Sequence, residues 1–296
     1  MNLHSNKGLF LEVLSSVEAE TGIPEEYIEK DYFVSLLLRN IVEAAPNIVF
    51  KGGTSLSKCY QIIKRFSEDI DINYKVDAKP TQGQMIRLKN TIVGVIENSN
   101  MILTNPEKIK SKGSFNEYLI EFPRSVEIAG ALKDHLIIET HYFHKSFPCE
   151  KKPVSNYILE YLTSQGEMGI VEEYKLQSFE INVQKVDRTF IDKVFAICDF
   201  YEGDKATENS RHLYDLHMIW TNNLIEKEKF AALFEQVAIE RASGKGNTSS
   251  ENGYQIIYTL TKIIESIQRD PDRNRIVYFQ GTPRIERPIL DYGLHQ

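Results

Sequence analysis

The feature that most restricts how this chain can fold lies between Asn47 and Asp71. Asn47-Ile48-Val49-Phe50 is short, apolar and β-branched, the pattern of a buried strand. It runs into Lys51-Gly52-Gly53-Thr54-Ser55, and Leu56–Arg65 then predicts a helix. Asp69-Ile70-Asp71-Ile72-Asn73-Tyr74 alternates polar and apolar, which predicts a strand with one wet face. A strand that stops at paired glycines and turns into a helix leaves free N–H groups at the helix start. Glycine lets an anion come close to them, and the helix dipole favours its charge. Thr54, Ser55 and Ser57 add hydroxyls, and Lys58 adds a cation. Asp69 and Asp71 point to the same side of their strand, and adjacent carboxylates repel unless a cation lies between them. Mg²⁺, a hard ion held by carboxylates and substrate phosphates, is the expected one. A pair of such ions would stabilise the attacking and leaving oxygens of an in-line displacement.

The rest of the chain frames this segment. Leu9, Phe10, Val13, Leu14 and Val17 recur at helical spacing, and Pro24 is placed to begin a second helix carrying Tyr27, Ile28, Tyr32, Phe33, Leu36 and Leu37. Met85 to Asn98 reads as a helix, residues 101–104 and 115–122 as strands, and His135 to Tyr142 as a strand. On that last strand His135, Ile137, Glu139 and His141 share one face by the period of two. From about Val186 the pattern is helical: Arg188–Tyr201 with Asp187 as N-cap, Ser210–Trp220, Lys227–Ala242 and Gly253–Ile267. The polar, glycine-rich stretch 243–253 reads as a loop. The expected organisation is an α+β part over residues 1–180 and a helical part over residues 181–296.

Composition removes several function classes. The longest apolar runs, such as Leu36–Leu38 and Ile48–Phe50, stop far short of the about 20 residues a membrane span needs, so no membrane partner is expected. The N-terminal residues Met1 to Lys7 lack a charged-then-apolar leader, and a cytoplasmic location is expected. Cys59, Cys149 and Cys198 are widely spaced and form no CxxC, which points to reduced, packed thiols. The formal charge of −7 argues against a general nucleic-acid coat, although a local basic groove can coexist with an acidic body. The turn Lys108-Ile109-Lys110-Ser111-Lys112-Gly113 is most simply a solvated hairpin tip, with RNA contact the sharper alternative. His141 and His144 suggest zinc only at first sight, since residues three apart on a strand point to opposite faces.

The strand, double glycine, helix and following Asp-x-Asp together match the nucleotide-binding signature of the DNA polymerase β nucleotidyltransferase superfamily. The chain resembles, more narrowly, the AbiEii/AbiGii toxin family of nucleotidyltransferases. The resemblance is carried by Ile28-Glu-Lys-Asp-Tyr32, Lys51-Gly-Gly-Thr-Ser-Leu56, Arg65-Phe-Ser-Glu-Asp-Ile-Asp71, and a late pair of helices opening at Thr189-Phe-Ile-Asp-Lys193 and Arg211-His-Leu-Tyr-Asp215. It implies an α+β fold: a polymerase-β-like core with a small mixed sheet and a helical C-terminal region. It implies that Asp69 and Asp71 bind the metal, and that Lys51, Gly52, Gly53, Thr54, Ser55 and Lys58 surround the nucleotide phosphates. Lys193 would contact the triphosphate, Arg211 would assist, and Asp215 would be a further essential acid. Polymerase-β-like enzymes carry a third acid on a neighbouring strand, and Glu139 is the candidate as metal ligand or base. The implied reaction moves a nucleoside monophosphate from an NTP to an acceptor hydroxyl, with RNA (tRNA among the candidates) as acceptor and Mg²⁺ as cofactor. The implied role is the toxin of an abortive-infection pair, restrained by a cognate antitoxin. Nucleotidylation of a protein or small molecule, and a nucleotide-binding regulator without chemistry, are the competing readings.

Overall fold

The computed structural model describes residues 1–75, 80–129, 132–142, 146–202 and 210–242. The chain divides into two compact units: Met1–Gln61 with Phe66–Gln184, and Ile62–Arg65 with the residues from Lys185 onward. The sequence places the change of pattern near residue 180; the second unit also takes in four residues from far upstream. Among the described residues no helix is long and apolar enough to cross a membrane.

The first unit is built on a mixed sheet of β1 (Ile48–Lys51), β2 (Asp69–Tyr74), β3 (Ile102–Leu103), β4 (Phe115–Glu121), β5 (Leu136–His141), β6 (Cys149–Val154) and β7 (Phe179–Gln184). The strand order is β3-β4-β5-β2-β1-β7-β6. β1 runs antiparallel to β2 and parallel to β7, and β2 is parallel to β5. The sheet is larger than the small one expected, because β6 and β7 escape a reading by hydrophobic pattern. β6 is polar and contains Pro153, which a sheet accepts only where no ladder partner needs its missing N–H, here at the edge. In β7 the alternate residues Asn182 and Gln184 look wet but are buried. The Asn182 amide donates to the carbonyls of Pro46 and Ile48, both at 3.1 Å.

Among the described residues the helices accompanying the sheet are α1 (Lys7–Thr21), α2 (Glu25–Ala44), α3 (Gly52–Lys58), α4 (Gln82–Asn98), α5 (Tyr157–Ser164) and α6 (Met168–Glu173). The α3 boundaries correct the expected helix Leu56–Arg65. It starts directly at the paired glycines and stops at Lys58, after which Gln61 adopts φ 55° and ends any helical run. α4 begins with a capping box formed by Thr81 and Gln84. The rear of the sheet is apolar, with Ile48, Phe50, Ile70, Ile72, Tyr118, Ile120, Leu136, Ile138 and Val183 fully buried. α2 lies against β2 and also against α1, α4 and α5.

The second turn of α2 carries Glu29, Lys30 and Asp31, all buried. Consecutive helical residues are turned by about 100°, so each reaches a different neighbour. The Glu29 carboxylate accepts from the N–H groups of Ser125 (2.6 Å) and Val126 (3.3 Å). The Lys30 ammonium pairs with Glu68 just before β2 and donates to the Lys133 carbonyl at 2.6 Å. Asp31 binds Lys58 of α3 at 2.5 Å and accepts from the Tyr157 N–H at the start of α5, at 3.1 Å. These contacts explain Ile28-Glu-Lys-Asp-Tyr32: it ties the glycine turn, the approach to β2 and the α5 start to one helix.

The second unit contains α7 (Val186–Glu202), α8 (Ser210–Thr221) and α9 (Lys227–Ala242) among its described residues. Ile191, Val194, Phe195, Cys198 and Val237 form its buried core. Asp187 lies inside the first turn of α7 instead of capping it, and its carboxylate accepts from the Glu226 N–H at 2.8 Å. The expected loop 243–253 and helix Gly253–Ile267 lie outside the described residues.

Because Lys58 neutralises a buried carboxylate, Lys58→Met is expected to destabilise the fold by about 3–5 kcal/mol. Lys58→Met combined with Asp31→Asn should recover more than half of the loss. Urea unfolding of the two variants checks this, and equal destabilisation of single and double variants would refute the pairing as the cause.

Candidate active site

The site starts where β1 becomes α3. Lys51 is the register partner of Asp71, so the glycine turn sits at the level of the second carboxylate. Gly52 has φ 80°, and a Cβ placed on it would lie 2.0 Å from Asp71 Oδ2. Only glycine meets both demands, a left-handed backbone and a carboxylate within contact of the main chain. No side chain caps α3 at Lys51, and Gly53 forms part of its first turn, half-buried. The hydroxyls do other work than expected. Buried Thr54 shares a hydrogen bond with Ser67 at 2.9 Å, and buried Ser55 donates to the Gly52 carbonyl at 2.8 Å. Both shape the turn, leaving the main chain as the surface it offers. Lys58 points away from the turn: its ammonium is buried against Asp31 and Ser35, at 2.5 and 2.8 Å.

The carboxylates meet across two parallel strands. Asp71 and Glu139 are register partners, which places them on the same front face. Asp71, Glu139 and His141 each offer a ligand atom, and these atoms lie within 4.8 Å of one another. The row Lys51, Asp71, Glu139, Glu117 runs across β1, β2, β5 and β4 by register. Asp69 stands two residues back on the same face, with its carboxylate 3.5 Å from the Lys133 ammonium. Burial pushes Asp71 up to about 6, opposed by Lys51 and reinforced by Glu139. Burial and the neighbouring Asp69 also raise Glu139. His141 is held down to about 4 by burial and the positive charge of Lys51, so its imidazole is neutral at pH 7. As the Nε2–H tautomer it donates to Glu139 at 2.8 Å. Two carboxylates short of compensating charge beside a neutral imidazole form a donor set that fits a divalent cation.

His141 is the residue that reading the sequence for function passes over. The signal was present in the shared face of Glu139 and His141, but the spacing to His144 draws attention to zinc; His144 itself lies outside the described residues.

A second cluster belongs to the helical unit. Asp215 on α8 is fully buried and takes a two-pronged contact from Arg65: Nε to Oδ1 at 2.7 Å and Nη2 to Oδ2 at 2.6 Å. Lys193 on α7 reaches the same Oδ2 at 2.7 Å. Burial alone would raise this carboxyl, yet Lys193 and Arg65 overcome it and hold Asp215 at about 2. Two cations and one anion leave this group with an excess positive charge. Burial and Lys193 push neighbouring His212 down to about 3, so it adds no charge. Arg211 is exposed. Asp215 takes its ion pairs from Arg65 and from Lys193, which lies midway along α7.

Gly52→Ala is expected to cost about 1–3 kcal/mol in backbone strain and to displace the Asp71 carboxylate. Its divalent-cation affinity, measured by calorimetry, should fall while that of Gly94→Ala, on the α4 helix, stays unchanged. Asp71 titrates above its ordinary 3.8, so its protonated form is stabilising below that value and the benefit is lost as pH rises through about 6. Asp71→Asn should therefore stabilise the metal-free protein at pH 7 by about 1–3 kcal/mol, with the gain vanishing toward pH 4. Thermal melts in chelator across that range are the check; a variant less stable at pH 7 would contradict the assignment.

Comparison with curated proteins found no match. Among solved structures, the fold is similar to MenT4, the nucleotidyltransferase toxin Rv2826c from Mycobacterium tuberculosis H37Rv, with 15% identity, a TM-score of 0.48, and coverage of 77% of this chain and 70% of that one. The family model for the nucleotidyl transferase AbiEii toxin of type IV toxin–antitoxin systems matches residues 35–288. That span holds the glycine turn, the carboxylate row and the Asp215 cluster alike, and the chain belongs to the AbiEii family of nucleotidyltransferase toxins.

Proposed function

We propose that this toxin transfers a nucleoside monophosphate from an NTP to a hydroxyl of RNA, in the presence of Mg²⁺, and that the modification underlies an abortive-infection response held in check by a cognate antitoxin. The observation that carries the reading is the convergence of Asp71 and Glu139 with Lys51 beside a turn that only glycine can make. We assign Asp69, Asp71 and Glu139 to the metal, with His141 as a further donor or as the group that orients Glu139. A bound divalent ion would offset phosphate charge and favour displacement at the α-phosphorus.

The remaining work falls to the chain. The main chain of Gly52 and Gly53, with Lys51, receives the phosphates. The acceptor hydroxyl oxygen forms a bond to the α-phosphorus, the bond from that phosphorus to the α,β-bridging oxygen breaks, and pyrophosphate departs with the electron pair. The hydroxyl proton passes to the Glu139 carboxylate, which stands beside Asp71 on the front face. In the helical unit we assign Lys193 to the triphosphate, with Arg211 assisting; Asp215 is the acid that fixes Lys193 and Arg65 in place. Thr54 and Ser55 act through the shape of the turn, and Lys58 through its hold on Asp31.

Incubation of the purified protein with Mg²⁺, each α-labelled NTP in turn, and total cellular RNA and protein is the test. Label is expected in RNA, and Asp69→Ala/Asp71→Ala should lower it by at least about 100-fold, the scale of losing preorganised charge stabilisation. Label in protein alone would move the acceptor. Unchanged labelling by the double variant would remove Asp69 and Asp71 from the site.

A further inference from the structure

Phe115 opens β4 with its side chain 41% exposed, the one large exposed aromatic among the described residues of the sheet. It is the register partner of His141, and the two rings lie 4.8 Å apart at 45°. The pair therefore shares the front face with Asp71 and Glu139, and His141 is bonded to Glu139. Nothing in the fold requires a phenyl ring in water there, since the core lies on the other face. A basic segment is anchored on the opposite face of the same strand, to which Asn116 points. Asn116 exchanges hydrogen bonds with the Lys110 main chain at 2.8 and 3.0 Å, and Lys89 donates to Ser111 at 3.0 Å. Lys108, Lys110 and Lys112 of that turn are exposed.

Direction follows from in-line displacement. Pyrophosphate leaves toward the glycine turn after β1, so the acceptor approaches from the opposite end of the carboxylate row, where β5 and β4 lie. From the strand spacing and rise, Phe115 stands roughly 8 Å from Glu139, of the order of one nucleoside. We propose that Phe115 is the stacking platform for the terminal nucleobase of the RNA acceptor. This rests on the reading that the acceptor is RNA. Stacking on a phenyl face tolerates any base, so the platform selects a free, unpaired end.

The experiment measures label transfer from the preferred α-labelled NTP as a function of total RNA concentration, then of NTP concentration. Phe115→Leu keeps an apolar side chain but removes the π face. It should raise the apparent KM for RNA by about 5-fold or more, leave the KM for NTP unchanged, and be rescued by Phe115→Trp. Ile102→Ser, which removes an exposed apolar side chain from β3, should change neither constant. RNA labelling with an unaltered KM for RNA in Phe115→Leu would overturn this inference and leave the RNA reading intact. An equal rise in both constants would also overturn it, by showing a structural role through His141. Absence of label in RNA with the unmodified protein would overturn the RNA reading and this inference together.

Discussion

The first unit depends on what α2 does with three consecutive ionisable side chains held out of water. Glu29, Lys30 and Asp31 are each costly to bury, and each cost is offset only because a different part of the chain arrives to meet it. The loop at Ser125, the approach to β2 at Glu68, the end of α3 at Lys58 and the start of α5 at Tyr157 are thereby fixed to one rigid element. Apolar contacts tolerate sliding, whereas a buried charge bonded to specific partners does not. The β1–β2 register sets the glycine turn against the carboxylate strand, and the Asp31–Lys58 pair holds the end of α3 that follows it.

At the front of the sheet the logic is reversed. Asp71 and Glu139 are brought together with too little positive charge to compensate them, and Gly52 lets the backbone crowd Asp71 further. The fold thus spends stability to keep a site ready for cations, of which Lys51 is the resident one. The Asp215 cluster in the helical unit carries the opposite imbalance, an excess of positive charge around a single acid. Metal and phosphates are the two kinds of ligand that such imbalances favour.

How much of this could be read from the sequence depended on whether a residue's chemistry was local. The strand, glycine turn and Asp-x-Asp were legible because period and spacing alone place them, as were α7 and α8 by their apolar stripes. Lys58 was misjudged because its partner lies on another helix and nothing near it in sequence announces a buried carboxylate. The end of α3 was missed since Ile62-Ile63 continues an apolar pattern, while tertiary structure draws those residues into the other unit. β6 and β7 were missed because buried amides and an edge proline imitate a loop. His141 was visible as a neighbour of Glu139 on one strand face but acquires meaning only when β2 is laid beside β5.

Ile62–Arg65 belongs to the helical unit although the chain around it belongs to the sheet. The polypeptide therefore passes from one unit to the other, returns, and passes over again. No single cut separates the two, because one contiguous stretch holds neither unit whole. During synthesis Arg65 emerges 150 residues before Asp215, the acid it is buried against. A chain interrupted between them carries the carboxylate row without the cationic cluster. For an enzyme whose product is harmful to its host, this ordering confines assembly to chains whose synthesis has passed the α8 acid.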